Sequence, residues 1–500
     1  MHATYPDDSL VQARPQFVRR DSQLYFLLSR RSHLMLGPAE QALWDRIQEA
    51  QPLGLLRQTF AAADETLSRF WKSEVCEFIE PPQLAPRRKV LVVEPHMDDA
   101  ILSVGGVMWK RRHSHDFTLV TLAGLSNFTS YYELDREYFD VEQISLLRRR
   151  ESELVMAMLG GRHTALDLAE APLRYQPGNW ALDWYRGHRR AVSAFISHAS
   201  DASELATWTQ AVATAMTTLS YDELWLPMGI GAHTDHELAR DASIAALTRE
   251  GVVPARVEVY FYQDVPYASR FPLHTPKFLS VLESSGAQLS PHAEEISEAM
   301  PAKLRMLSAY GSQFKMSYMT PKVEHAARAL RPEGNGYFEL LYRLDVRPDS
   351  VDTSQLYSGQ RFIDASLAQL KGWYRRHRNA TRIRMLSPMP FGRWKHDVNL
   401  LLRAFPAATL EIYVASDTVP ETEDYVSSRV RVLPIAGRGR AWATQVARLA
   451  LTEGLPTILL MGQKRQMLSR ISAVMLLRSD CISLPNMTHM GRALEIILWK

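Results

Sequence analysis

"VLVVEPHMDDAILSVGG" occupies residues 90–106 of a 500-residue chain. Its first half is a short apolar run of the kind that makes a buried strand. The run stops, and His96, Asp98 and Asp99 follow at once. A helical pattern with a glycine pair comes next. In open α/β sheets ligands gather outside the carboxyl ends of the strands, and this polar cluster falls at such an end. Two carboxylates and an imidazole resist burial unless something compensates them. A divalent metal would do so, because imidazole nitrogen and carboxylate oxygen are good zinc ligands at about 2.0–2.2 Å. The competing reading is an ordinary turn with an aspartate as helix N-cap.

A second stretch, "LWLPMGIGAHTDHELA" at 224–239, repeats the arrangement. Another apolar strand ends in a glycine-containing loop, then in His233, Asp235 and His236, again where a helix would start. One of these histidines could complete a His–Asp–His zinc set that leaves a coordination position for water, which is a catalytic layout and not a closed structural one. Zinc lowers the pKa of its water towards about 7, and a neighbouring carboxylate can then take the proton.

Between and around these stretches apolar strands alternate with helical patterns. "KVLVVEP" leads to the helix "ILSVGGVMWKRR", and "DFTLVTLAG" to "EQISLLRRRESELVMAMLG". "DELWLPM" leads to "DHELARDASIAALTR", then to "RVEVYFY". The alternation predicts βαβ units and a mostly parallel sheet. The expected fold is α/β over residues 88–345, flanked by a small N-terminal α+β domain (1–85) and a smaller C-terminal α/β domain (355–500). The proline-containing "EPPQLAPRRK" at 80–89 reads as a linker.

Composition sets bounds. The chain is 46% hydrophobic and 23% charged with a net charge of +3, so charge favours no nucleic-acid partner. No apolar run approaches the roughly 20 residues of a membrane span, and the N-terminus lacks the basic and apolar regions of a secretory signal. Cys76 and Cys481 define no disulfide framework. A cytoplasmic setting is expected. The basic turn "GRGR" (437–440) and the basic run "YRRHRNATRIR" (374–384) read as solvated surface.

The two motifs together, "PHMDD" followed by "GG" and later "HTDH", resemble the signatures of the PIG-L/LmbE-like family of zinc-dependent N-deacetylases. Further stretches resemble that family in order: "SNFTSYY" (126–132), "RRRESELVMAMLG" (148–160), "LDLAEAPLR" (166–174), "YFYQDVPYA" (260–268) and "KLRMLSAYGSQ" (303–313). The resemblance implies a Rossmann-like sheet with helices on both faces and removal of acetyl groups from N-acetylated amino sugars. It also implies that His96, Asp99 and His236 bind Zn2+, that Asp98 is the general base, and that His233 stabilises the oxyanion or protonates the leaving amine. Arg149 (or its neighbour Arg150), Glu170, Asp264 and Tyr267 are the expected substrate contacts, with Tyr310 and Gln313 supporting the fold; the arginine reads equally as half of an exposed Arg–Glu helix pair, and Asp264 equally as a loop-stabilising aspartate. The chain departs from the family at Met97, where proline is usual, at Ala100, where glutamate is usual, and at Glu170, where aspartate is usual.

The N-terminal block, "PQFVRRDSQLYFLLSRRSHLMLGPAEQALWDRIQEA", resembles the PqqD-like winged-helix unit, which binds leader peptides in some natural-product pathways. A peptide or protein partner or a homo-oligomer through this block is therefore expected, with a packing module as the alternative. The expected substrate is a small molecule or glycan bearing an N-acetyl group. The competing functions are a zinc amidase or esterase on another secondary metabolite, and a non-catalytic metal-binding scaffold.

Overall fold

The computed structural model describes residues 5–29, 31–81, 85–126, 128–129, 141–174, 202–230, 233–254, 256–270, 274–284, 286–330 and 336–346, then 373–374, 376–386, 402, 405–415, 429–435, 445, 449, 455–460 and 481–484. These fall into two compact units, one ending at residue 346 and one beginning at 373.

The first unit opens with β1 (Leu10–Ala13), β2 (Phe17–Arg20), β3 (Gln23–Phe26), β4 (Ser32–Met35), α1 (Pro38–Arg46), β5 (Gln51–Pro52), α2 (Leu53–Thr59), α3 (Ala63–Lys72) and β6 (Cys76–Ile79). Two antiparallel sheets, ordered β5-β1-β6 and β2-β3-β4, share a core around Val11, Leu24, Trp44 and Phe70. This block is fastened to a helix much later in the chain, Met300–Ser308. Arg14, 2% exposed, donates to Glu77 at 2.7 Å and to the Ser308 hydroxyl at 2.9 Å, and Arg305 donates to Glu77 at 3.0 Å.

Next come β7 (Arg88–Glu94), α4 (Asp99–Arg111), β8 (His115–Thr121), α5 (Val141–Met158), β9 (Arg162–Ala165), α6 (Ala171–Arg174), α7 (Ala202–Thr218), β10 (Glu223–Pro227) and α8 (Thr234–Leu247). The unit ends with β11 (Glu258–Tyr262), α9 (Tyr267–Arg270), α10 (His274–Ser284), β12 (Leu289–Glu295), α11 (Met300–Ser308), α12 (Met316–Ala329) and β13 (Phe338–Leu344). Seven strands pair in the order β12-β13-β11-β10-β7-β8-β9. β11 to β9 are parallel, and β13 and β12 add an antiparallel edge. β7 is covered on both sides, as a central parallel strand must be. Leu91 and Val93 feed one hydrophobic cluster, and Val90 and Val92 feed another. The strand order reverses between β7 and β10, so the crevice that such sheets leave for ligands opens where these two strands end.

Helix α4 starts at Asp99, two residues before the expected Ile101. It is broken at Val104 (φ −132°, ψ 15°). Glu339 of β13 accepts from the freed Gly106 and Val107 amides at 3.0 and 2.7 Å. Lys303 of α11 donates to the Leu102 carbonyl at 2.6 Å and pairs with Glu339 at 2.5 Å. The glycine pair allows this close approach: a Cβ at Gly106 would lie 2.7 Å from Ile296.

In the second unit β14 (Arg382–Leu386), β15 (Thr409–Ala415), β16 (Val430–Ile435), β17 (Thr457–Leu460) and β18 (Cys481–Leu484) form a parallel sheet ordered β16-β15-β14-β17-β18. Most of the helix expected over 440–454, the "GRGR" turn and most of "SNFTSYY" lie outside the described residues. Among the described residues, no helix is long and apolar enough to cross a membrane.

Candidate metal centre

Two loops meet at the switch point, one from the end of β7 and one from the end of β10. The first makes a tight turn in which the amides of Asp98 and Asp99 both reach the His96 carbonyl, at 2.9 and 3.2 Å. Asp98 departs from ordinary backbone preference: its φ of 154° lies where L residues rarely sit. Such conformations cost on the order of 1–3 kcal/mol and persist only where neighbours enforce them. The second loop turns at Gly229 (φ 65°), where a Cβ would meet the His236 carbonyl at 2.8 Å.

The turns bring His96, Asp99 and His236 together, all buried. Asp99 Oδ2 accepts from the His96 amide at 2.9 Å and lies 3.1 Å from His96 Nδ1 and 3.3 Å from His236 Nε2. One donor atom from each of the three lies within 4.8 Å of the others. The opposite ring nitrogens are held by carboxylates: His96 Nε2 is 2.9 Å from Asp235 Oδ2, and His236 Nδ1 is 2.7 Å from Asp264 Oδ1. Carboxylates in this role fix ring orientation and make the facing nitrogen a better metal ligand. Two imidazoles aimed at one carboxylate oxygen, each backed by a second carboxylate, form a donor set suited to a divalent cation. His96, His233 and Asp235 also cluster. A cation there would compete with Arg174, whose guanidinium lies 2.6 Å from Asp235.

The electrostatics agree. Burial disfavours the charged forms of both histidines, yet Asp235 and Asp99 hold His96 well above its usual range, and Asp99 and Asp264 raise His236. Burial also works against ionised Asp99, but His236 and His96 draw it down to about 2. Asp98 differs. Loss of solvation, reinforced by the Asp99 charge and opposed by Arg148, pushes it up to about 7, the range a general base needs near neutral pH. His233 caps α8, its Nδ1 accepting from the Asp235 amide at 3.1 Å. Its proton therefore sits on Nε2, and burial together with His96 and His236 keeps the ring well below the usual histidine range.

The expected substrate contacts divide. Glu170 is buried and accepts from Ser126 at 2.6 Å and from Arg148 at 3.1 Å. Tyr267 sets its ring edge-on to His236, centroids 5.2 Å apart. Asp264 turns its oxygens to the His236 ring and the Ile230 amide. Arg149 does not join the cluster; it pairs with Asp167 on the surface at 3.1 Å. Arg148 faces inward instead, 2% exposed. Helical phase could have found it, since Ile144, Arg148, Glu151, Ser152 and Val155 share one buried stripe. Sequence reasoning also missed Glu94, buried at the end of β7 and pushed up to about 8 by its desolvation, and the partnership of Asp235 with Arg174. Tyr310 and Gln313 are buried beside Ser152 and Ser312.

The family model for the GlcNAc-PI de-N-acetylase, PIG-L, matches residues 91–247. The 2'-N-acetylparomamine deacetylase of Streptomyces fradiae is 30% identical over 244 residues, which are 48% of this chain and 79% of that protein. Among solved structures, a deacetylase from the biosynthesis pathway of teicoplanin is 21% identical, with 52% of this chain and 98% of that one covered and a TM-score of 0.40. The antimicrobial reagent A40926 pseudoaglycone deacetylase is 22% identical, with the same coverage and a TM-score of 0.37.

Proposed function

This chain belongs to the PIG-L family of de-N-acetylases, and from that premise we propose how its residues perform the reaction. The protein is a hydrolytic N-deacetylase of an acetylated amino sugar. Water cleaves the amide C–N bond, giving acetate and a free amine. The observation that carries the assignment of roles is the convergence of His96, Asp99 and His236 with Asp98 beside them, outside the donor set.

His96, Asp99 and His236 would hold the metal, which we take to be zinc. When bound, it would supply Lewis-acid chemistry, a more acidic water and a polarised amide carbonyl. Asp98 accepts the proton of the attacking water. His233 presents Nε2–H to the carbonyl oxygen as negative charge builds there, where a fixed donor is worth most. An amine leaves only when protonated, and Asp98, now carrying the proton, returns it. Arg148 with Glu170, in place of Arg149, forms the polar wall for the sugar, and Tyr267 bounds the histidine side. For the N-terminal block, the contacts of Arg14, Glu77 and Arg305 favour the packing module over a free peptide reader. A cytoplasmic setting belongs to the same proposal.

The test uses the purified full chain, zinc analysis and acetate release from N-acetylglucosamine derivatives. We expect about one zinc per chain, and a loss of kcat/KM on the order of 10³-fold in Asp98→Asn with zinc retained. Asp98 is a base only when ionised, so kcat/KM should climb with pH along an acidic limb. That limb should lie at or below about 7, since a bound cation favours the carboxylate. Acetate release that survives Asp98→Asn unchanged would overturn the assignment.

A further inference from the structure

We propose that Glu94 is a positioning residue: it ties the first turn of α4 to the sheet and so sets where Asp98 and Asp99 stand. The inference rests on reading those two aspartates as base and ligand. Glu94 is the last residue of β7 and is 0% exposed. Both of its oxygens are engaged. Oε2 accepts from the Ala100 amide at 2.9 Å, and Oε1 accepts from the Thr121 hydroxyl at 2.6 Å. Thr121 Oγ1 also lies 2.9 Å from His163 Nε2. Three neighbouring strands, β9, β8 and β7, thus contribute one row of polar groups that ends on Glu94, which grips α4.

The grip falls at a place that needs it. The opening amides of a helix have no partner within it. Asp98 and Asp99 direct theirs to the His96 carbonyl, inside the turn. The Ala100 amide is the first to reach outside the turn, and Glu94 is what it reaches. Asp98, two residues back, holds its unusual φ of 154°, a conformation that relaxes unless its surroundings enforce it. Without Glu94 the turn is free to relax, and both carboxylates move with it.

The experiment compares Glu94→Leu, Glu94→Gln and Thr121→Val in the full chain. It reads the zinc dissociation constant of the metal-free protein by chelator competition, kcat and KM separately, and the melting temperature. In Glu94→Leu we expect zinc affinity to fall roughly 10–100-fold, the range for lost outer partners of metal ligands. We expect kcat to fall about 10²-fold, as a misplacement near 1 Å does, with KM nearly unchanged. Glu94→Gln keeps an oxygen for the Ala100 amide and should recover most of both. Thr121→Val loosens the carboxylate from one side only and should show a smaller loss in the same direction; it decides the matter should Glu94→Leu not fold. Variants that melt lower yet keep zinc affinity and kcat within about twofold would overturn the proposal, as would a Glu94→Gln no better than Glu94→Leu. A wild type that binds zinc and releases no acetate would sink the deacetylase reading alone, because the zinc measurements still judge Glu94.

Discussion

Each unit carries a run of parallel strands whose order reverses in the same way, at β7 and β10 in the first and at β14 and β17 in the second. The segments just beyond these strands differ. β7 and β10 run into "PHMDD" and "MGIGAHTDH", whereas β14 and β17 run into "SPMPFGRWK" and "MGQKRQ". In sequence, the first pair is followed by histidines and aspartates, and the second by cations, aromatics and proline. Winding rules make a crevice, and the residues at the strand ends decide what chemistry it hosts. The unit with the histidine–carboxylate set is also the one where the family model falls.

The contrast between the two sheets can be broken. His236→Ala should abolish stoichiometric zinc, while Asp264→Ala, which keeps all three donors, should weaken zinc roughly 10–100-fold. Arg382→Ala, which removes the pair between half-exposed Arg382 of β14 and buried Glu411 of β15, should leave zinc content and kcat/KM within about twofold. Equal losses from both sheets would erase the distinction. Within the first unit, Arg148→Lys should raise KM about tenfold, because a planar guanidinium is replaced by a point charge. Arg149→Ala should change it little, and the reverse result would return the sugar wall to Arg149.

The smallest effect concerns Glu151, which accepts from the Ser312 amide and hydroxyl at 2.9 and 2.6 Å and is pushed up to about 8 by burial. Its folded value lies above its unfolded one, so its contribution to stability is whole at low pH. That contribution drains away as pH climbs toward about 8. Glu151→Gln removes the titration. The unfolding free energy of the variant relative to wild type should therefore rise between acid and mildly alkaline pH, with a slope of at most about 1.4 kcal/mol per pH unit. A pH-independent difference would show that Glu151 ionises in the folded protein as it does in the unfolded one.

Much of the first sheet was legible because β7, β8, β10 and β11 are apolar runs buried on both faces. β12 was not. Its "LSPHAEE" is half exposed and holds a proline, which an edge strand tolerates and a central one does not. β9, "RHTA", is short and polar for the same reason. The candidate ligands stood out as polar residues interrupting apolar strands. Their supports did not, because Asp235 reaches His96 across 139 residues and Asp264 reaches His236 across 28. No local pattern encodes such pairings. Glu94 hid in plain sight, as the end of an otherwise apolar strand. Arg148 was masked by two identical neighbours, and only the helical stripe of buried residues separates them.

The break in α4 bears on the order in which the chain emerges during synthesis. Gly106 and Val107 find their acceptor 233 and 232 residues later, on β13. The segment matched by the family model, 91–247, contains neither Lys303 nor Glu339. A ribosome that has made that segment has therefore joined every proposed metal ligand into the chain while the helix that begins at Asp99 still lacks its mid-point clamp. Nascent chains stopped before residue 339 should stay open to proteolysis within α4, and protection there should arrive only with the closing strand.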